Sequence, residues 1–137
     1  MKKYFILLAV VLGLNVSAQE GVSYWSIQSA TGAVVMDDKF ASGLSLQNPD
    51  GDGVMLMTVG SVSNGTRVLI NVDGVNYWTD AKANSGGFTL LSWDISKEPY
   101  FNAMLRGSII VVRGAMRNDQ SIVCTLSGFT KAYNFIK

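Results

Sequence analysis

Apolar and polar residues alternate along most of this 137-residue chain in short runs, and the runs stop at glycine, asparagine and aspartate. YWSIQS (24–29), FASGLSLQ (40–47), TRVLINVD (66–73) and VNYWTD (75–80) carry the period-two pattern that sends successive side chains to opposite faces of an extended strand. VVM (34–36), VMLMTVGS (54–61), FTLLSW (88–93), SIIVVRG (108–114) and SIVCTLS (121–127) are apolar runs of strand length. Asp73-Gly74 predicts a tight hairpin, because glycine supplies the positive φ such turns demand. AKANSGG (81–87) reads as a polar loop, and AMRNDQ (115–120) as the loop of a last hairpin.

Two segments change period. In SKEPYFNAMLRG, Ser96 is placed to cap a short helix, Pro99 falls in its first turn, Phe101, Met104 and Leu105 share one face, and Gly107 suits its end. In GFTKAYNFIK, Phe129, Ala132, Tyr133 and Ile136 fall at helical spacing. The pattern therefore predicts an all-β fold: an antiparallel β-sandwich with two short helices, after an N-terminal signal peptide. No repeat or linker interrupts it, so residues 19–137 are expected to form a single β-sandwich domain, long enough to close a core without staples.

The first twenty residues stand apart. Lys2 and Lys3 precede an apolar run from Tyr4 to Leu14, and Val16-Ser17-Ala18 gives a small-residue cleavage pattern. A membrane-spanning helix needs about 20 apolar residues, more than this run supplies. Residues 1–18 are read as a secretory signal peptide cleaved after Ala18, which makes the protein periplasmic or secreted, with no membrane span in the mature chain. The lysine-rich, small-residue character of the segment is bacterial.

Charge excludes one class of partner. Without Lys2 and Lys3 the 11 basic and 10 acidic residues become 9 and 10, which leaves no basic field for nucleic acid. The chain has no histidine, which removes His-based metal sites and Ser-His-Asp triads. Cys124 is the only cysteine, so no intramolecular disulfide forms, and its alternation with Ile122 and Leu126 predicts a buried thiol.

NPDGDG (48–53) resembles the opening half of a calcium loop, with Asn48, Asp50 and Asp52 at the first, third and fifth ligand positions and Gly53 at the sharp turn. The position that should carry a bidentate glutamate is Val59, and Pro-Asp-Gly is itself a turn with a mechanism, so a hairpin loop is expected. Asp37-Asp38 could supply paired carboxylates, although adjacent strand residues point apart. Asn64-Gly65-Thr66 fits a glycosylation sequon and equally fits a hairpin turn, the reading favoured in a bacterial chain. Trp25, Trp78 and Trp93 are candidate ligand-contact aromatics, since exposed flat rings stack on sugars; in apolar-patterned strands they serve a core equally well. No residue is assigned a catalytic, metal-ligating or cofactor-binding role, and no cofactor is expected.

The order TRVLINVDGVNYW, a helix ending FNAMLRG, SIIVVRG and then TLSGFTKAY resembles the small exported sandwich proteins of the invasion-associated locus B family. The domain of the type VI secretion-associated accessory proteins is similar, with an early tryptophan and an aspartate pair that Trp25 and Asp37-Asp38 match. Leu126-Ser127-Gly128-Phe129 and Ala132 are the most specific part of the resemblance, and the family's frequent cysteine pairs are missing. The resemblance implies an exported accessory or host-interaction protein without catalysis, in which Gly107, Gly128 and Phe129 serve the architecture. The expected function is protein binding; the alternative is a carbohydrate-binding module using exposed aromatics.

Overall fold

The computed structural model describes residues 24–36, 43–116 and 120–137. Ten antiparallel strands lie in two sheets: β1 Ser26–Ser29, β2 Gly32–Met36, β3 Gly43–Gln47, β4 Met55–Val59, β5 Arg67–Val72, β6 Val75–Asp80, β7 Ala83–Ser85, β8 Phe88–Ser92, β9 Ile109–Arg113 and β10 Ser121–Thr125. One sheet has the order β1-β2-β3-β4-β8-β7 and the other β10-β9-β5-β6. The expected all-β sandwich-like fold is therefore what the chain adopts, with two short α-helices, α1 Phe101–Arg106 and α2 Phe129–Ile136. The signal-peptide segment and Asp37-Asp38 lie outside the described residues.

The turns follow from local chemistry. Asp73 (φ 49°) and Gly74 (φ 91°) both take positive φ, the primed turn that matches the twist of a two-residue hairpin. Asp73 also ties this turn to the start of β9, since its carboxylate accepts the N–H groups of Ser108 and Ile109 at 2.9 and 3.0 Å. Gly86 and Gly87 make a second such turn, and around it the segment read as a polar loop contains β7, which pairs with β8. A three-residue strand with an exposed asparagine at its centre is too short for period-two patterning to reveal.

The first helix also differs from the sequence expectation. Asp94, not Ser96, caps a 3-10 turn over Ile95–Lys97, its carboxylate accepting the Ser96 N–H at 3.1 Å. Glu98 then adopts φ −88°, ψ 147°, because the ring of Pro99 disfavours the helical region for the residue before it, and the single expected helix divides in two. Gly107 ends α1 at φ −84°, so positive φ is not its reason; a Cβ there would sit 2.7 Å from the Ala103 carbonyl and 2.9 Å from Val72.

Between the sheets lies the main core. Register puts Val35 beside Leu44 and Leu46 beside Leu56 in one sheet, and Ile70 beside Val112 and Val72 beside Ile110 in the other. These side chains, with Val68, Ile122, Cys124 and Leu126, are nearly inaccessible, each burial contributing about 1.5–3 kcal/mol for a residue of this size. Helix α2 closes one side with Phe129, Ala132 and Ile136. A second apolar cluster, Val34, Met55, Met57, Ala83, Phe88 and Leu90, occupies the other face of the six-stranded sheet.

Candidate functional site

The three tryptophans occupy three different layers. Trp25 is buried at 3% exposure, donates its indole N–H to the Thr125 carbonyl at 3.0 Å and meets Phe129 edge to face at 5.3 Å. Its backbone approaches α2 so closely that a Cβ on Gly128 (φ 82°) would stand 3.3 Å from the Trp25 carbonyl. Trp93 is half-buried against the cluster on the six-stranded sheet. Trp78 stands on the outer face of the four-stranded sheet, 55% exposed.

Around Trp78 the strand register assembles a surface. One row across β10, β9, β5 and β6 is Val123, Val111, Asn71 and Asn76; the next is Ser121, Arg113, Leu69 and Trp78. On the other side of the first row, Ile109 lies beside Thr125. Ile109 and Val123 are 49% and 46% exposed, while Leu69 and Val111 are half-buried between their neighbours. Polar groups frame this apolar stripe in fixed positions. The Arg67 guanidinium lies 4.6 Å from the Trp78 ring centroid, a cation–π contact. Asn71 donates its amide to the Asn76 side-chain carbonyl at 2.6 Å, and Arg113 Nε donates to the Ser121 hydroxyl at 3.1 Å.

Sequence reasoning singled out Trp78 on this face and missed Leu69, Ile109, Val111 and Val123. The signal was present in TRVLINV, where Val68, Ile70 and Val72 claim one row and leave Leu69 on the other. It was ambiguous in SIIVVRG, which is apolar on both rows.

The remaining candidates have structural roles. The NPDGDG segment joins β3 to β4 as a hairpin loop. Asn48 is buried and donates its amide to the Ile136 carbonyl at 2.8 Å, pinning the end of α2, while Asp50 and Asp52 are exposed. Among the described residues no three or more Cys, Asp or Glu side chains gather in a metal-binding arrangement. Asn64 sits in an exposed turn and accepts the Asn84 amide at 3.2 Å. Cys124 lies in the inter-sheet core at 2% exposure.

Described residues line at least two surface hollows. One of about 460 Å³ is bounded by Ser61, Val62, Ser63, Thr66 and Asn84, and the other, about 220 Å³, lies between Tyr24, Ile27, Gly128 and Lys131. Neither is lined by a carboxylate. Tyr100 has a clear pKa displacement: burial first, and the Glu98 carboxylate second, push its phenol far above the usual tyrosine value, with a smaller opposing effect from Ser92. The Ser92 hydroxyl itself donates to Glu98 at 2.5 Å.

Comparison of the chain with protein-family models, with curated proteins and with solved structures gives no match.

Proposed function

We propose that this chain is an exported bacterial accessory or host-interaction protein that works by binding another protein, without catalysis, and that the outer face of the four-stranded sheet is its contact surface. The observation that carries this reading is the group of apolar residues on that face, with Val123, Ile109 and Trp78 exposed and Val111 and Leu69 half-buried, interleaved with Asn71 and Arg113. Tryptophan and arginine, present here as Trp78, Arg67 and Arg113, are enriched at interface centres. A carbohydrate platform would need a second ring coplanar with Trp78, and Trp25 and Trp93 belong to other layers. The resemblance to the invasion-associated locus B family fits the same reading. Export rests on the pattern of residues 1–18, and intact mass of the exported protein should show Gln19 as its first residue.

The direct test uses the mature protein as bait in extracts of the producing organism's envelope, with Leu69→Lys as the control bait. A protein captured by the first and lost by the second supports the reading. Turnover of a glycan or peptide panel by the purified protein would overturn it, and saturable glycan binding abolished by Trp78→Ala would favour the carbohydrate alternative.

A further inference from the structure

We propose that β6 is a self-pairing edge: two copies of this chain join through β6 about a two-fold axis at Trp78, merging two four-stranded sheets into one of eight strands. The idea goes beyond the partner-binding reading and does not depend on it.

Exposed edges are normally blunted by proline, lysine, bulges or shortness. In the six-stranded sheet, β1 carries a register shift between Ile27 and Ser29, and β7 has only three residues. β6 has no proline, lysine or bulge, is not short, and carries its one charge, Asp80, at its end. It runs six residues, VNYWTD, in unbroken register from Val72↔Val75 to Arg67↔Asp80. The two-residue turn makes Val72 and Val75 the closing hydrogen-bonded pair, so Val75, Tyr77 and Thr79 direct their backbone groups to β5. Asn76, Trp78 and Asp80 direct theirs to the open side.

The side chains select the register. With the axis at Trp78, each Asn76 lies opposite the other copy's Asp80, and the two Trp78 rings are neighbours across the new pair, close enough for aromatic contact. Asn76 already accepts the Asn71 amide on its carbonyl oxygen, which leaves its own NH2 to donate. Asp80 is exposed, and among the described residues its carboxylate makes no hydrogen bond or ion pair. Donor therefore faces acceptor twice, and the two Asp80 carboxylates lie at opposite ends of the pair. Centring the axis on Tyr77 would instead set Asn76 against the indole and leave Asp80 opposite Gly74. An edge pair of this length falls among small interfaces, below about 1,200 Å² of total buried surface, so the dimer should form in the micromolar range or above.

Sedimentation equilibrium on the purified protein, from about 10 μM to about 1 mM, should show a reversible monomer–dimer equilibrium. Asn76→Asp sets carboxylate against carboxylate at both ends and should raise the dissociation constant about tenfold. Adding Asp80→Asn exchanges the partners and should restore the wild-type value. Trp78→Pro removes an outward N–H, which an edge strand tolerates, and should give a folded monomer; the Asn76 and Asp80 variants carry the test if it does not fold. A wild-type protein that stays monomeric throughout, Asn76→Asp dimerising as tightly as wild type, or a double variant that fails to recover would each overturn the proposal.

Discussion

The two faces of the four-stranded sheet are built by alternate residues of the same strands, and they have opposite fates. Ile110 is inaccessible in the core while its neighbour Ile109 is 49% exposed; Cys124 is buried while Val123 is 46% exposed. Amino-acid type does not separate the faces, since isoleucine occurs on both. What separates them is the second sheet and the helices, which cover one face and leave the other to solvent. An apolar residue on the covered face is held there by the free energy of its own burial. One on the other face stabilises the fold little, so stability does not account for the stripe around Trp78, and the proposed contact role is what would.

Substitutions should therefore divide by face. The largest loss is expected at Phe129, wholly buried on α2 among Trp25, Phe101 and Tyr133. Phe129→Ala should cost about 3–5 kcal/mol in denaturant unfolding through lost transfer energy and a cavity, enough to unfold a marginal domain. Lys131 and Asn134, exposed on the other side of the helix, should tolerate substitution. If Phe129→Ala stayed folded and lost only partner capture, the ring would belong to the interface. The sharpest pair is adjacent: Ile110→Ala should cost about 2–5 kcal/mol and Ile109→Ala within about 0.5 kcal/mol. Equal effects would erase the distinction between the faces.

Tyr100 allows the covered side to be probed by pH. Its phenol holds the proton more tightly in the folded state than in the unfolded chain, where the ordinary value is 10.0. This contribution is complete below pH 10 and falls as the pH rises further, because the unfolded chain then loses a proton that the folded protein keeps. The slope should approach about 1.4 kcal/mol per pH unit above that point. Tyr100→Phe should flatten it in pH-dependent unfolding, and an unchanged slope would remove Tyr100 as its source.

A thiol reagent makes the same comparison kinetically. Native Cys124 should resist labelling until the protein unfolds, whereas a cysteine introduced as Val123→Cys should react at once. Rapid labelling of native wild type would place Cys124 on the accessible side. Calcium should have the smallest effect. A site in NPDGDG would stabilise the fold by about 2.7 kcal/mol at a hundredfold excess over its dissociation constant. Melting curves with calcium and with chelator should instead coincide, and a rise abolished by Asp50→Ala would show the loop to be a metal site.

Most strands were legible because Val68, Ile70 and Val72, or Ile122 and Cys124, repeat at period two, and α2 because Phe129, Ala132 and Ile136 repeat at helical spacing. Strand β7 was not, since three residues with an asparagine in the middle carry no period. The division of the first helix turned on the ordering of Asp94 and Pro99, where propensity and capping compete over one turn. In the candidate site, the pattern shows that Leu69 and Trp78 lie opposite the row of Ile70. It cannot show that no described strand or helix stacks on that face, because coverage is set by how the two sheets stack. The same gap left Trp25 and Trp78 indistinguishable before the fold was known.

The central claim is that the exposed face of the four-stranded sheet binds and its covered face folds. Capture from envelope extract by Ile109→Lys, measured beside its melting temperature, tests this most directly. The account predicts melting close to wild type and capture reduced at least as far as by Leu69→Lys. Undiminished capture by a folded Ile109→Lys protein would contradict it.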